Sequence, residues 1–358
     1  MTRKGFLLYP YDITSLHFIF HSENLANISI TSVVSPAGWG YVGEDAGAKI
    51  GICTGIKVND DFEISLKNVS GVILAESILD LEDEHFEYII KIALSEKKEI
   101  ILTRKLSDYL LRKYSNELVD LCHNKKIDVE LRPEKMLYNI DKPVIIVMGS
   151  GNRCNKFDVQ LLIRDIFLKN GYKVTQIGSK PFSEYYGFYN FPQDILNNEL
   201  SLTEKVQYFN RLVYQLDIHE NSDVIVIGVP GGIEPFDEKY NNDFGTINYI
   251  VSNAVNADFV VFNSVFTDYS EKYFSSLYNT LKYKFHYNLD CIFLSNCHIN
   301  WDATDDFQTL IYTILDQELV CAEAKHSGAY SVYNNGDTNR FEKKLLETLI
   351  GYGECENI

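Results

Sequence analysis

Lys156 stands after a glycine-containing turn and at the head of a segment with helical periodicity. The apolar run 144–148 leads into Gly149, Ser150, Gly151, Asn152, Arg153, Cys154, Asn155 and Lys156, followed by Phe157 and Asp158. A strand that feeds a glycine turn and then a helix is a layout for gripping phosphate. Backbone N–H groups and the positive end of the helix dipole face the phosphate oxygens, and a lysine adds a point charge. A strict P-loop has glycine before the lysine and Ser or Thr after it. Here those places hold Asn155 and Phe157, and the first glycine, Gly149, is displaced by one position. The hydroxyl that normally holds Mg²⁺ is therefore absent, so a metal would need another ligand. Asp158 is adjacent, although an acid in the first helical turn also suits the helix dipole. Arg153 supplies a second cation, and Cys154 sits where a helix N-terminus lowers a thiol pKa, or is simply a small filler.

The opposite wall of such a site should come from the carboxyl end of a neighbouring strand, because open α/β sheets bind ligands there. The run 223–229 reads as a buried strand. It ends in Gly228, Pro230, Gly231 and Gly232, with Glu234 and Asp237 following. Either acid could hold a metal or a water, or could belong to a solvated acidic loop. Lys156, Asp158, Glu234 and Asp237 are thus the candidate catalytic groups; residues 149–157 are the candidate phosphate-binding set, and no metal ligand can be named.

Other motifs carry less. Residues 182–192 place six aromatics in eleven positions, which suits a loop stapled to a core and, less directly, a lid. Gly38, Gly40 and Gly43 match a dinucleotide fingerprint, but the glycine-rich chain that follows does not open a helix, so a loop is expected. His17 and His21 lack the intervening glutamate of the zinc-protease motif. Cys291, Cys297, His298, Cys321 and His326 lack paired zinc spacing. No Gly-x-Ser-x-Gly elbow is present.

Elements able to position these residues follow from the alternation of short apolar runs with longer periodic segments, the signature of a parallel α/β architecture. Strands are expected over 6–9, 28–34, 72–76 and 100–103, then over 144–148, 173–177, 224–229, 259–262 and 291–294. Helices are expected over 13–24, 82–95 and 106–122, then over 158–170, from 202, and over 246–255, 269–284, 305–317 and 340–350. Ser201 and Glu204 form a capping box at one helix start. The segment 130–142 carries Pro133 and no period, so two domains are expected, 1–140 and 141–358.

The composition supports that reading. Hydrophobic residues make up 46% and aromatics 13%, enough for sizeable cores. A formal charge of −17, with the 33 basic residues scattered, argues against a nucleic-acid partner. The basic start at the N-terminus precedes too short an apolar run for a signal peptide, and no stretch approaches the roughly 18 apolar residues of a membrane span. Seven cysteines, several in apolar surroundings, suit reduced thiols. A cytoplasmic protein without a membrane partner is expected.

Three stretches together, 144–180, the aromatic YYGFYNFP and the DVIVIGVPGGIEPF run, resemble the clostridial peptide maturation system family. The start GFLLYPYD and the loop SPAGWGYVGEDAG extend the resemblance over nearly the whole chain. That family is encoded beside radical-SAM enzymes in clusters for ribosomally made peptide natural products. The resemblance implies a precursor peptide and maturation enzymes as partners. The layout is also similar to a broader group with a Rossmann-like N-terminal domain and a P-loop C-terminal domain, some members of which serve amino-acid metabolism, including N-acyl transfer. The expected fold is therefore α/β: a Rossmann-like domain followed by a P-loop NTPase-like domain with a mainly parallel sheet. The expected function is binding of a nucleotide, ATP or GTP with Mg²⁺, in peptide maturation, with any chemistry being activation of a carboxylate or amide by phosphoryl transfer. Two alternatives stand beside it: a coenzyme A-dependent acyltransferase using the same loop, and a non-catalytic scaffold that binds a precursor peptide or partner enzyme.

Overall fold

The computed structural model describes residues 3–120, 129, 136–267 and 269–354. The chain divides into two compact units. Unit 1 is Met1–Asn124 together with Pro181–Gly187, and unit 2 is Lys125–Lys180 with Phe188–Ile358. Of the segment 130–142, where the sequence places a boundary, residues 130–135 lie outside the described residues.

Unit 1 is built on six strands: β1 (Lys4–Tyr9), β2 (Ile28–Val34), β3 (Val58–Asn59), β4 (Gly71–Leu74), β5 (Glu99–Leu102) and β6 (Leu118–Asp120). They lie in the order β3-β2-β1-β4-β5-β6, and every pairing is parallel. Parallel strands buried on both faces read as continuous apolar runs, which is how 71–74 and 100–102 read. Helices α1 (His17–Phe20), α2 (Phe62–Leu66), α3 (Asp83–Ser95) and α4 (Asp108–Lys113) accompany the sheet. Leu7, Val72, Leu74, Ile100 and Leu102 pack with Phe86, Ile89, Ile90 and Leu110 of α3 and α4 in one core.

Two expected helices of unit 1 are corrected. Over 13–24 the chain forms two 3-10 turns around the four-residue α1. From Tyr11 to Ile19 every residue but Thr14 is buried, so the segment has no single apolar face for a regular helix. The helix expected over 106–122 stops at Lys113, and the chain continues into β6, an edge strand too short to show alternation. The first part of the aromatic segment, Pro181–Gly187, completes unit 1: Phe182 stacks on His17 with ring centroids 5.5 Å apart, and Tyr186 Oη lies 2.9 Å from His17 Nδ1.

Unit 2 holds β7 (Val144–Gly149), β8 (Val174–Gly178), β9 (Tyr189–Asn190), β10 (Val224–Gly228), β11 (Phe259–Phe266), β12 (Cys291–Ile299), β13 (Tyr312–Ile314) and β14 (Tyr330–Ser331). The sheet order is β13-β12-β11-β7-β10-β8-β9, with β14 also on β12. Among the described residues of this sheet only the β12–β13 pairing is antiparallel. The helices are α5 (Lys156–Lys169), α6 (Gln193–Leu196), α7 (Leu202–His219), α8 (Thr246–Ala254), α9 (Glu271–Lys284), α10 (Trp301–Phe307), α11 (Gln317–Ser327) and α12 (Asn335–Glu354). Ile145 and Val147 of β7 face α5 and α12 through Val159, Ile163, Phe341 and Leu345. Val144, Ile146 and Met148 face the other layer, with Phe209 of α7, Val251 of α8, Leu281 of α9 and Val320 of α11. Period-two alternation along β7 thus divides two cores and makes three layers. The capping box at Ser201 and Glu204 is formed. The helix expected over 305–317 is replaced by α10, β13 and the start of α11, since the run 311–314 of β-branched and aromatic residues takes an edge of the sheet.

This topology places the glycine turn. The connection from β7 through α5 leads to β8 on one side of β7, whereas β11 connects to β12 on the other. The strand order reverses beside β7, and that crevice at the carboxyl ends is where open α/β sheets bind ligands.

Candidate functional site

The turn 150–155 is held from β11 and β12. Ser150 N–H donates to the Asn263 carbonyl at 2.9 Å, and Val265 N–H donates to Ser150 Oγ at 2.9 Å. Asn263 Nδ2 donates to the Met148 carbonyl at 3.0 Å, which locks the end of β7. Ser295 Oγ lies 3.2 Å from the Arg153 carbonyl and 2.6 Å from Asn155 Oδ1. Arg153 and Asn155 are both left-handed, with φ of 59° and 57°. Asn155 is thus tolerated where a strict P-loop has glycine, because asparagine enters this region more readily than other side chains. Among the described residues, the N–H groups of Gly151, Asn152 and Lys156 meet no protein acceptor.

Lys156 opens α5 and is buried at 7% exposure. Its Nζ donates to the Gly151 carbonyl at 2.9 Å and to the Gly231 carbonyl. Burial pushes this ammonium below its ordinary value; Cys154 offsets part of that, and the charge of Lys180 adds to it. Among the described residues no carboxylate is bonded to Lys156, so its charge meets backbone carbonyls and the like charge of Lys180, an arrangement that an anion would relieve. Gln160, one helical turn after Lys156, holds Ser179 at the end of β8. Its Nε2 donates to the Lys156 carbonyl at 3.0 Å and to Ser179 Oγ at 2.8 Å, and its Oε1 accepts from Ser179 N–H at 3.1 Å.

The second wall is the 229–245 loop. Asn242 Nδ2 donates to the Ser150 carbonyl at 2.7 Å and to the Glu234 carbonyl at 3.0 Å, which ties this loop to the turn. Close approaches explain two glycines. A Cβ on Gly151 would stand 2.2 Å from the Phe236 ring, and one on Gly228 would stand 2.0 Å from Gln160 Oε1.

The candidate residues separate into those that meet and those that do not. Gly149, Ser150, Gly151, Arg153, Cys154, Asn155 and Lys156 form one turn, with Asn152 exposed at its tip. Cys154 is buried, its Sγ donating to the Gly151 carbonyl at 3.1 Å, as a filler would. Phe157 is buried in the core, with its ring centroid 5.9 Å from that of Phe188. Asp158 is bonded on both sides: Tyr333 Oη donates to its Oδ1 at 2.6 Å, and Asn155 Nδ2 of the turn donates to its Oδ2 at 3.2 Å. Asp237 Oδ1 caps its own loop, accepting from Lys239 N–H at 2.8 Å and Tyr240 N–H at 2.7 Å. Glu234 is exposed on the rim of a cavity of about 210 Å³ that begins at Ser150. Arg153 lies over the Tyr312 ring, 5.6 Å from its centroid. Among the described residues no group of three or more His, Cys, Asp or Glu is placed to hold a metal ion.

Lys180, Gln160 and Asn242 escape the sequence reading, whereas the Gly231 carbonyl that Lys156 meets lies on the loop expected as the opposite wall. Lys180 was within reach, since it follows the carboxyl end of β8, where ligand residues concentrate. In unit 1 the glycine loop after β2 opens no helix. Asp45 pins it, accepting from Gly47 N–H at 2.8 Å, Thr54 N–H at 2.9 Å and Gly55 N–H at 2.8 Å. Among the described residues no helix is long and apolar enough to cross a membrane.

No protein-family model matches this chain, and no curated protein matches it. Among solved structures, the chain is similar to a DUF1611 family protein from Anabaena variabilis. The TM-score is 0.57 at 11% identity, covering 98% of this chain and 100% of that one. At that identity the likeness shows a shared α/β fold and nothing of activity.

Proposed function

We propose that unit 2 binds the phosphate groups of a nucleotide, ATP or GTP, at the 149–156 turn. The observation that carries this reading is the buried Lys156 ammonium. It stands at a helix N-terminus under the like charge of Lys180, and among the described residues it bonds only two backbone carbonyls, which a phosphate can replace. The strand–turn–helix at the switch point of a mainly parallel sheet supports a P-loop-like assignment of unit 2. In unit 1, the order β3-β2-β1-β4-β5-β6 is that of the doubly wound dinucleotide-binding fold and supports a Rossmann-like assignment. Its first strand, however, leads into Pro10, Tyr11 and Asp12 rather than a glycine turn, so the usual dinucleotide cradle is missing.

In this reading Lys156, Lys180 and the turn N–H groups position phosphates and neutralise their charge, which is most of what phosphoryl transfer asks of a protein. Activation of a carboxylate or amide is the corresponding chemistry. The role in maturation of a ribosomally made peptide, with a precursor peptide and maturation enzymes as partners, rests on the sequence resemblance. One observation favours a second reading, the diphosphate of coenzyme A held for acyl transfer. Phe157 removes the Mg²⁺ hydroxyl and Asp158 is tied to Tyr333, so the turn offers phosphate donors without a metal ligand. A thermal-shift panel of ATP, GTP and acyl-CoA, each with and without Mg²⁺, tests both, since a ligand specific for the folded state raises its stability. Mg²⁺-dependent stabilisation by ATP or GTP supports the nucleotide, and Mg²⁺-independent stabilisation by acyl-CoA supports the second reading. No shift with any of them leaves the scaffold.

A further inference from the structure

The cavity that begins at Ser150 lies where the strand order reverses, between the carboxyl ends of β7 and β11. Its volume, about 210 Å³, exceeds the roughly 150 Å³ of an engineered cavity that holds benzene. Phe236, Phe266, Tyr273 and Trp301 line it, so a flat ring finds edge and face partners. The polarity of the lining is one-sided: Ser150, Ser264, Thr267, Tyr273 and Ser276 supply hydroxyls and Glu234 a carboxylate, while among the described residues no Lys, Arg or His lines it. A carboxylate ligand would meet no cation here and would face Glu234. An ammonium would meet that carboxylate and the faces of the aromatic rings. We infer that this cavity binds a small aromatic primary amine as co-ligand beside the phosphate turn. Its place as co-ligand rests on the phosphate reading above; its selectivity rests on the cavity alone.

The test is calorimetric titration of the full chain with phenethylamine, benzyl alcohol and phenylacetate, without nucleotide. Phenethylamine should bind at least about tenfold more tightly than phenylacetate. Glu234→Gln should weaken the amine about fivefold, as loss of one exposed ion pair does, and leave benzyl alcohol unchanged. Ser276→Trp, at an exposed lining position of α9, should fill the cavity and abolish binding while circular dichroism is retained. Lys156→Ala should leave amine binding intact even where it removes phosphate binding, so the two proposals fail separately. Equal binding of phenylacetate, no binding of the amine, or amine binding that survives Ser276→Trp overturns the inference.

Discussion

Lys156 Nζ donates to the Gly151 carbonyl at 2.9 Å, so the lysine closes back on the turn that precedes it. The same ammonium bonds the Gly231 carbonyl of the facing loop. In the absence of an anion the charge is satisfied by carbonyl dipoles alone, and a phosphate would replace them with a charge-assisted bond. Such bonds contribute about 1.5–3 kcal/mol, so Lys156→Ala should weaken phosphate-ligand binding roughly 10- to 150-fold while the fold persists.

Binding should also move a proton. Burial lowers the Lys156 pKa, so between that lowered value and the ordinary lysine range the free protein holds fewer protons at this site than the unfolded chain. Stability contributed by this group therefore rises with pH across that window. A bound phosphate favours the ammonium and raises the pKa again, so binding in the window takes up protons. Calorimetry in buffers of different ionisation enthalpy should show uptake that disappears in Lys156→Ala.

Asp158 is a structural carboxylate in this arrangement. Removing the Tyr333 hydroxyl that bonds it at 2.6 Å should destabilise the protein by about 1.5–3 kcal/mol, the range for a hydrogen bond to a charged group. Tyr333→Phe should leave the Mg²⁺ dependence of ligand binding unchanged, as read by denaturation and titration of the same variant. A changed metal dependence would return Asp158 to the metal.

Gly228 has no space for a side chain, its Cβ position lying 2.0 Å from Gln160 Oε1. Gly228→Ala should cost about 1–3 kcal/mol, as overpacking does. Because Gln160 also holds Ser179, the variant should weaken phosphate binding through Lys180. Gly151→Ala displaces Phe236 instead, and should alter amine binding in the cavity more than stability.

In unit 1, Phe182 stacks on His17 and is buried. Phe182→Ala should cost about 3–5 kcal/mol, and denaturant titration should show the loss in unit 1 although residue 182 is far from it in sequence.

The long apolar strands and their helices were legible because a strand buried on both faces leaves a continuous apolar run, as 144–148 and 224–228 do. The strand, turn and helix around Lys156 were legible because the lysine and glycines are local in sequence. What escaped was non-local or short. β6 and β13 are three-residue edge strands with no period to read, and β13 turned an expected helix into two helices and a strand. The 3-10 segment near His17 follows the surface that it covers, including Phe182 and Tyr186 from far along the chain. Asn242 reaches the turn through sheet order, which a single sequence does not state.

The most direct test is calorimetric titration of the wild type and Lys156→Ala with ATP, GTP and acyl-CoA, with circular dichroism as the control for folding. One of these ligands should bind the wild type and weaken at least tenfold in the variant. Equal binding to both proteins, or binding to neither with the fold intact, would contradict a phosphate site at Lys156.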